Sequence, residues 1–450
     1  MKFKPYPKYK KSRDGGITVI NMNPSLPNSW NIHKLKFLLR KPVTDGPHET
    51  PEFIDEGIPF LSVDSIQDGK LVFENCRYIS EEDYLRYKQK CDPQKNDILM
   101  GKAASIGKIA IVDVDFEFST WSPLALLRPN QSILPKFLEY SFKSDYCQDQ
   151  IDLYATSNTQ KNISMDEIPR IQIITPTIQE QNNITDFLDK QTAKIDALIE
   201  KDKKLIALLK EKRTALINHA VTKGLDQNVK FKDSGVEWIG EIPEGWVVRR
   251  LNFLTSKINS GVTPKGGAEV YTEEGIPLLR SQNIHFEGLK LEDVAYIPEE
   301  IHKTMSNSVV KNRDVLINIT GASIGRCTYV DGEFEKANVN QHVCIIRPKK
   351  IDYKYLTYFL RSKHGQDQVF SIQMGSSREG LNFEQLGNFV VPFTPISVQI
   401  AIASYLDKAT AKIDKTIQKI NKNIELLEEY KKSLIHHVVT GKVDVRGVEA

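Results

Sequence analysis

Residues 101–108 (GKAASIGK) gather two glycines, a serine and two lysines, the ingredients of a loop that cradles phosphate. The spacing is wrong for that chemistry. A nucleotide-binding loop runs G-x-x-x-x-G-K-[ST], and here Ile109 follows Lys108. Other catalytic patterns fail similarly. An adenine methyltransferase needs an Asn/Asp-Pro-Pro-aromatic loop to hold its flipped base. Asn23-Pro24-Ser25-Leu26 and Asp92-Pro93-Gln94-Lys95 lack the second proline and the aromatic, and read as turns. H-E-x-x-H and G-x-G-x-x-G do not occur. His436 and His437 are neighbours on a helical stretch, so they do not share a face and do not make a metal site. No enzyme active site and no cofactor of the chain's own are expected.

Bulk properties narrow the class further. The 450 residues suggest more than one domain. Cys76, Cys91, Cys147, Cys327 and Cys344 are scattered, odd in number and never paired as CxxC, which argues against a disulfide scaffold and a zinc site. No apolar run approaches the roughly 18–20 residues of a membrane span. The basic N-terminus has no apolar core after it, so no secretory signal is read there and a cytoplasmic location is expected. A net charge of +3 excludes no partner, because phosphate binding depends on local Lys and Arg. Lys2, Lys4, Lys8, Lys10, Lys11 and Arg13 read as a solvated basic arm.

The elements that must carry any function occur twice. Residues 187–222 and 405–440 align without a gap and share 20 of 36 positions, at an offset of 218. The same offset relates residues 57–66 (GIPFLSVDSI) to 275–284 (GIPLLRSQNI), and Ala-Ser-Ile-Gly at 104–107 to the same block at 322–325. The long segments are close copies; the stretches between them share only scattered blocks. The spacing of Leu188, Ile195, Leu198, Leu205, Leu209 and Leu216, and of Leu406, Ile413, Ile420, Leu427 and Leu434, predicts one seam on each of two helices that pair as an antiparallel coiled coil with pseudo-two-fold symmetry. Gln191, Asp202, Lys212 and Asn423 interrupt the stripe. Thr177 and Glu180 predict a capping box, Thr394-Pro395 an N-cap, and Gly224 and Gly441 the helix ends. Strand-like runs at 58–63, 98–100, 109–112, 124–127, 276–279, 315–319 and 343–346, with helices at 136–142 and 353–360, predict two α+β globules, each on one mainly antiparallel sheet. The expected boundaries are a leader at 1–23, globules at 24–175 and 227–392, and helical regions at 176–226 and 393–450.

Several blocks together resemble the specificity subunits of bacterial type I restriction–modification systems. Residues 231–246 (FKDSGVEWIGEIPEGW) look like the entry to a target-recognition domain. Pro392, Pro395 and Gln399 followed by Tyr405-Leu406-Asp407 look like the junction with the helical region; Pro176 to Gln181 followed by Phe187-Leu188-Asp189 is its first copy. The first leader lacks the Val-Glu-Trp-Ile-Gly phrase of the second, and Val398 stands where the first copy has Glu180. The resemblance implies a non-catalytic reader of double-stranded DNA whose globules recognise the halves of an asymmetric split site. The helices would act as a spacer; 190–221 spans roughly 48 Å at 1.5 Å per residue, against about 34 Å for one turn of B-DNA. Two modification subunits and the restriction subunits would be the partners, carrying S-adenosylmethionine, ATP and Mg2+, with no membrane involved.

Base edges are read by side chains with paired donors and acceptors. In the first copy the candidates are Lys102, Ser105 and Lys108, then Ser157, Asn158, Gln160, Lys161 and Asn162. In the second they are Arg280, Gln282 and Asn283, then Thr320, Ser323 and Arg326, and Ser376, Ser377 and Arg378. The competing expectation is a coiled-coil adaptor whose globules bind proteins.

Overall fold

The amide of Glu180 donates to Thr177 Oγ1 at 3.3 Å, and the Thr177 amide donates back to the Glu180 carboxylate at 3.1 Å. This is the expected capping box, and it starts a helix of 46 residues, Ile178–Lys223. The second long helix, Ile396–Val439, starts differently. The Thr394 hydroxyl is buried and makes no hydrogen bond among the described residues, so Thr394 does not cap it. The Gln399 side chain braces the start without capping it, its amide nitrogen donating to the Thr394 carbonyl at 2.6 Å as that of Gln181 does to Pro176 in the first copy. Both helices stop at glycines in the left-handed region, Gly224 at φ 77° and Gly441 at φ 72°, which supplies the turn at low steric cost. A Cβ on Gly224 would stand 3.2 Å from the Trp246 ring, and one on Gly441 would stand 2.9 Å from Pro27.

The computed structural model describes residues 26–157, 161–226, 228–373 and 380–445, with the strand pair Lys10–Lys11 and Ile17–Thr18. It divides into two units, Met1–Lys201 with Lys422–Ala450, and Asp202–Asn421. In the first unit the strands are β1 (Asn31–Lys34), β2 (Thr44–Asp45), β3 (Ile58–Leu61), β4 (Arg77–Ile79), β5 (Ile98–Gly101), β6 (Ile109–Ile111), β7 (Ser119–Thr120), β8 (Leu124–Leu127) and β9 (Gln172–Thr175). The helices α1 (Pro135–Lys143) and α2 (Asp145–Tyr154) precede the first long helix, α3. One sheet runs β6-β5-β8-β2, all antiparallel; a second runs β7-β3-β4, with β7 parallel to β3; β9 pairs with β1. The single sheet expected is therefore two main sheets and a pair, beside two short hairpins, Ile66–Gln67 with Lys70–Leu71 and Thr156–Ser157 with Lys161–Asn162. The parallel contact is possible because nearly sixty residues separate β3 from β7, ample for a crossover.

The second unit repeats this order. Here β10 (Val247–Arg250), β11 (Thr255–Ser260), β12 (Ile276–Leu279), β13 (Ala295–Ile297), β14 (Val315–Asn318), β15 (Cys327–Tyr329), β16 (Asn338–Val339), β17 (Val343–Pro348) and β18 (Val390–Phe393) form sheets β15-β14-β17-β11 and β13-β12-β16 and the pair β10-β18. The helices α4 (Tyr353–Arg361) and α5 (Lys363–Gln373) precede the second long helix, α6. In both units a buried carboxylate holds an arginine at 2.7 Å, Asp97 with Arg128 and Asp314 with Arg347.

Each globule is fastened to its long helix by the same side chains. Tyr140 donates to Asp189 at 2.6 Å and lies 3.2 Å from Thr192 Oγ1; Tyr358 meets Asp407 at 2.7 Å and Thr410 at 3.4 Å. Gln181 accepts the Leu134 amide at 2.8 Å as Gln399 accepts that of Asp352. In the first unit Ile184, Leu188, Ile435, Val438 and Val439 join one core with Phe137 and Phe142. In the second Ile217, Val221, Ile402 and Leu406 join another with Tyr355 and Phe359.

The helices pair antiparallel along a seam that keeps nine of the eleven expected residues and excludes two. Its inner positions on α3 are Leu188, Thr192, Ile195, Ile199, Asp202, Ile206, Leu209, Arg213 and Leu216, all buried or half-buried. Leu198 and Leu205 are 49% and 43% exposed and lie outside it. On α6 the seam runs Leu406, Thr410, Ile413, Ile417, Ile420, Ile424, Leu427, Lys431 and Leu434. Two registers share every second position; the true alternates are isoleucines together with Thr192, Arg213, Thr410 and Lys431, polar residues that have partners. In the first unit Lys431 meets Asp196 at 2.6 Å; in the second Arg213 meets Asp414 at 3.1 Å. Asp196 and Asp414, like Arg213 and Lys431, are 218 residues apart. Pairs this exposed add at most about 1 kcal/mol each and act mainly on register. Ile199→Ala is expected to cost about 2 kcal/mol or more and Leu198→Ala less than about 0.5 kcal/mol, read by denaturant unfolding. Equal costs would refute this register.

Candidate nucleic-acid interface

Main-chain bonds assemble the same surface in each unit from loops far apart in sequence. In the first, the amide of Gly101 takes the Lys108 carbonyl, the amide of Ile163 takes that of Lys102, and Ala103 bridges Asn162. In the second, the Asn318 amide takes the Arg326 carbonyl, the Leu381 amide takes that of Ile319, and Thr320 bridges Gly380. The block at the middle of each globule and the end of the polar loop before each long helix are therefore adjacent, although sequence reading treated them as separate candidates. The side chain of Ser157, the residues Asn158 and Gln160, and Ser376, Ser377 and Arg378 lie outside the described residues.

Equivalent backbone positions carry different side chains. Where the second unit has Asn318, the first has Gly101, and a Cβ there would stand 2.5 Å from the Ser105 carbonyl oxygen. Asn318 Nδ2 donates to the Ser281 carbonyl at 2.9 Å and to Ser323 Oγ at 3.0 Å, which ties two candidate loops together. A cavity of about 420 Å³ opens there, lined by Ser281, Gln282, Thr320, Ser323, Arg326 and His342. Among the described residues the Arg326 guanidinium has no hydrogen-bond or ion-pair partner, and Gln282 is exposed. Arg280 is held, donating to the Asp293 carbonyl at 2.9 Å over the Tyr271 ring.

Two expectations need correction. Asn283 is buried, accepting the Arg280 amide and donating to the Lys290 carbonyl, each at 2.9 Å, so it shapes its turn instead of facing a base. Lys102 is only 9% exposed because it takes the place of buried Ile319. Its ammonium meets Asp45 at 2.6 Å; Lys90 and His48 approach the same carboxylate at 2.5 and 3.1 Å. Burial alone would raise the Asp45 carboxyl, but hydrogen bonds and charge from Lys102 and Lys90 outweigh it and hold the group below the usual carboxylate range. Ser105 is half-buried; Lys108, Lys161 and Asn162 are exposed, and Lys161 makes a loose 3.4 Å contact with Asp152.

Sequence reading missed Asp45, Asn318, Gln341 and His342. It also missed Gln148 and Gln366, which donate at 3.3 and 3.0 Å to the glycine carbonyls closing the midpoint blocks. Position-by-position comparison at the 218 offset was the available signal for these glutamines. Among the described residues, no group of three or more His, Cys, Asp or Glu could hold a metal, and no helix is long and apolar enough to cross a membrane.

A duplicated frame presenting polar loops, with different side chains at matching positions, belongs to the class of two-part recognition modules. Comparison with known proteins gives the family. The type I restriction modification DNA specificity domain matches residues 4–208 and 243–426, and the chain belongs to that family. It is 25% identical over 430 residues to the type I restriction enzyme MjaVIII specificity subunit of Methanocaldococcus jannaschii, covering 94% of this chain and 95% of that one. It is 22% identical over 209 residues to the EcoKI specificity subunit of Escherichia coli, covering 45% of this chain and 44% of that one. Its fold matches, at a TM-score of 0.67 and 16% identity, a chain solved in work on assembly and conformational transition of the type I R-M system, over 93% of this chain and 99% of that one. The chain is a DNA-recognition subunit and not the catalytic component of such an enzyme.

Lys102 is thus expected to act on folding and not on DNA. Asp45→Ala, which strands the Lys102 charge, should cost about 3–5 kcal/mol of unfolding free energy. Lys102→Met should leave the slope of log affinity against log salt unchanged, while Lys108→Ala should lower it by about one. A slope altered by Lys102→Met would put that ammonium on phosphate.

Proposed function

We propose that the two units read the two halves of one asymmetric, split sequence in double-stranded DNA. Two modification subunits dock on the helical regions, restriction subunits join them, and the assembly works in the cytoplasm. S-adenosylmethionine, ATP and Mg2+ belong to those partners, and this chain contributes only recognition. The observation that carries this reading is the contrast between frame and lining. The fastening groups Tyr140 and Tyr358, Asp189 and Asp407, Gln181 and Gln399 are the same in both units. Gly101 and Asn318, Ala103 and Thr320, Lys108 and Arg326 differ at matched backbone positions. A shared frame with a divergent lining suits one assembly that reads two different half-sites.

Docking of the same partner twice is supported by exposed apolar residues at matched helix positions. Leu208 and Leu426 are 61% and 51% exposed, and Ile178 and Ile396 are also exposed. Isolated exposed apolar groups are ordinary; their recurrence at an offset of 218 favours a common partner.

The test is base-resolved methylation in cells with and without the chain. The expected result is one asymmetric split motif that loses methylation on deletion; an unchanged methylome sinks the reading. Leu208→Asp combined with Leu426→Asp should abolish co-purification of the methyltransferase while the purified chain keeps its unfolding midpoint. Retained co-purification would remove these residues from the docking surface.

A further inference from the structure

We propose that Gln341 is the adenine-reading side chain of the second unit, held in its reading orientation by a relay through His342 to Thr320. The inference rests on the DNA-recognition function and goes beyond it by naming a base and the group that selects it.

Gln341 stands at the tip of a turn that is tied at every neighbouring position. The Asn340 amide donates to the Leu279 carbonyl at 3.0 Å, and the Val343 amide returns to the Asn340 carbonyl at 3.2 Å. The His342 amide donates to Asn340 Oδ1 at 3.1 Å. Gly261 presses on the same turn; a Cβ there would stand 1.6 Å from the Val339 carbonyl oxygen. The backbone under Gln341 is therefore fixed, while its side chain is exposed at the rim of the cavity that His342 and Thr320 line.

The relay fixes the side chain too. The Gln341 amide nitrogen is only a donor, and it lies 2.9 Å from His342 Nε2, so Nε2 accepts. The ring proton then sits on Nδ1, which donates to Thr320 Oγ1 at 2.6 Å. One N–H of the carboxamide is used; the second N–H and the carbonyl oxygen remain as a donor beside an acceptor. Adenine presents N7 as an acceptor and N6 as a donor in the major groove, the complement of that edge. Guanine offers two acceptors there and cytosine a donor, so neither takes both bonds.

The first unit lacks every member of the relay. Matching main-chain bonds put Ala103 where Thr320 stands and Pro123 where His342 stands, with Ser122 in the place of Gln341. A device present in only one unit cannot serve the common frame, and the half-site is what the units do not share.

The experiment complements cells lacking the chain with wild type, Gln341→Ala, Gln341→Glu, His342→Phe or Thr320→Val. Each strain carries a plasmid library with randomised half-sites, and methylation is read base by base. Wild type is expected to require an A·T pair at one position of the second half-site. Gln341→Ala should lower that preference roughly tenfold or more. His342→Phe and Thr320→Val should weaken it at the same position only, and Gln341→Glu, with acceptors alone, should move it toward cytosine. Ser122→Ala should leave the second half-site untouched. A second half-site unchanged by both Gln341 variants, or preference lost evenly over all positions, overturns the proposal. A wild-type library with no split motif would instead overturn DNA recognition itself.

Discussion

A buried tyrosine hydroxyl must find a hydrogen-bond partner, and in each unit the partners are an aspartate and a threonine on a long helix. That requirement fixes the helix in rotation and translation against the globule. Around it the apolar contacts of Leu188 and Ile435 in one core, and of Ile217 and Leu406 in the other, close with little freedom. The seam then inherits its register from the globules as much as from its own side chains. This explains why it tolerates Thr192, Asp202 and Arg213 at inner positions.

The frame is insulated from the residues it displays. Backbone bonds between midpoint block, strand ends and pre-helix loop recur unchanged, so side chains can vary without disturbing topology. Asn318 in place of Gly101 opens a cavity bounded by Ser281 and Ser323, where the first unit lets the Ser105 carbonyl close onto the strand. Lys102 in place of Ile319 shows the limit of that freedom. A charge at an interior position survives because Asp45 came with it.

Much of this was legible in the residues. The duplication, both helices, their glycine ends, one capping box and most central strands follow from periodicity and turn chemistry. The edge pairs β1-β9 and β10-β18 were not legible, because β1 (NIHK) is exposed throughout and has no alternation to read. The seam was half legible: hydrophobicity selected Leu198 and Leu205, whereas burial selected the β-branched neighbours Ile199 and Ile206 beside Thr192, whose hydroxyl approaches Tyr140. At the candidate surface, composition nominated the loops but could not tell which of their side chains turn inward. Lys102 and Asn283 have the right chemistry for DNA, and their inward direction depends on Asp45 and Lys290, which no local spacing links to them.

The first unit is built from both ends of the chain, since Ile435, Val438, Val439 and Val445 belong to the same core as Leu35 and Phe137. The second is continuous, from Asp202 to Asn421. Synthesis therefore reverses the order of the sequence: the globule translated first must wait, with part of its core open, while the globule translated later can close at once. The last two turns of α6 complete a core begun some four hundred residues earlier, and a ribosome that stops short of them leaves the first unit unfinished.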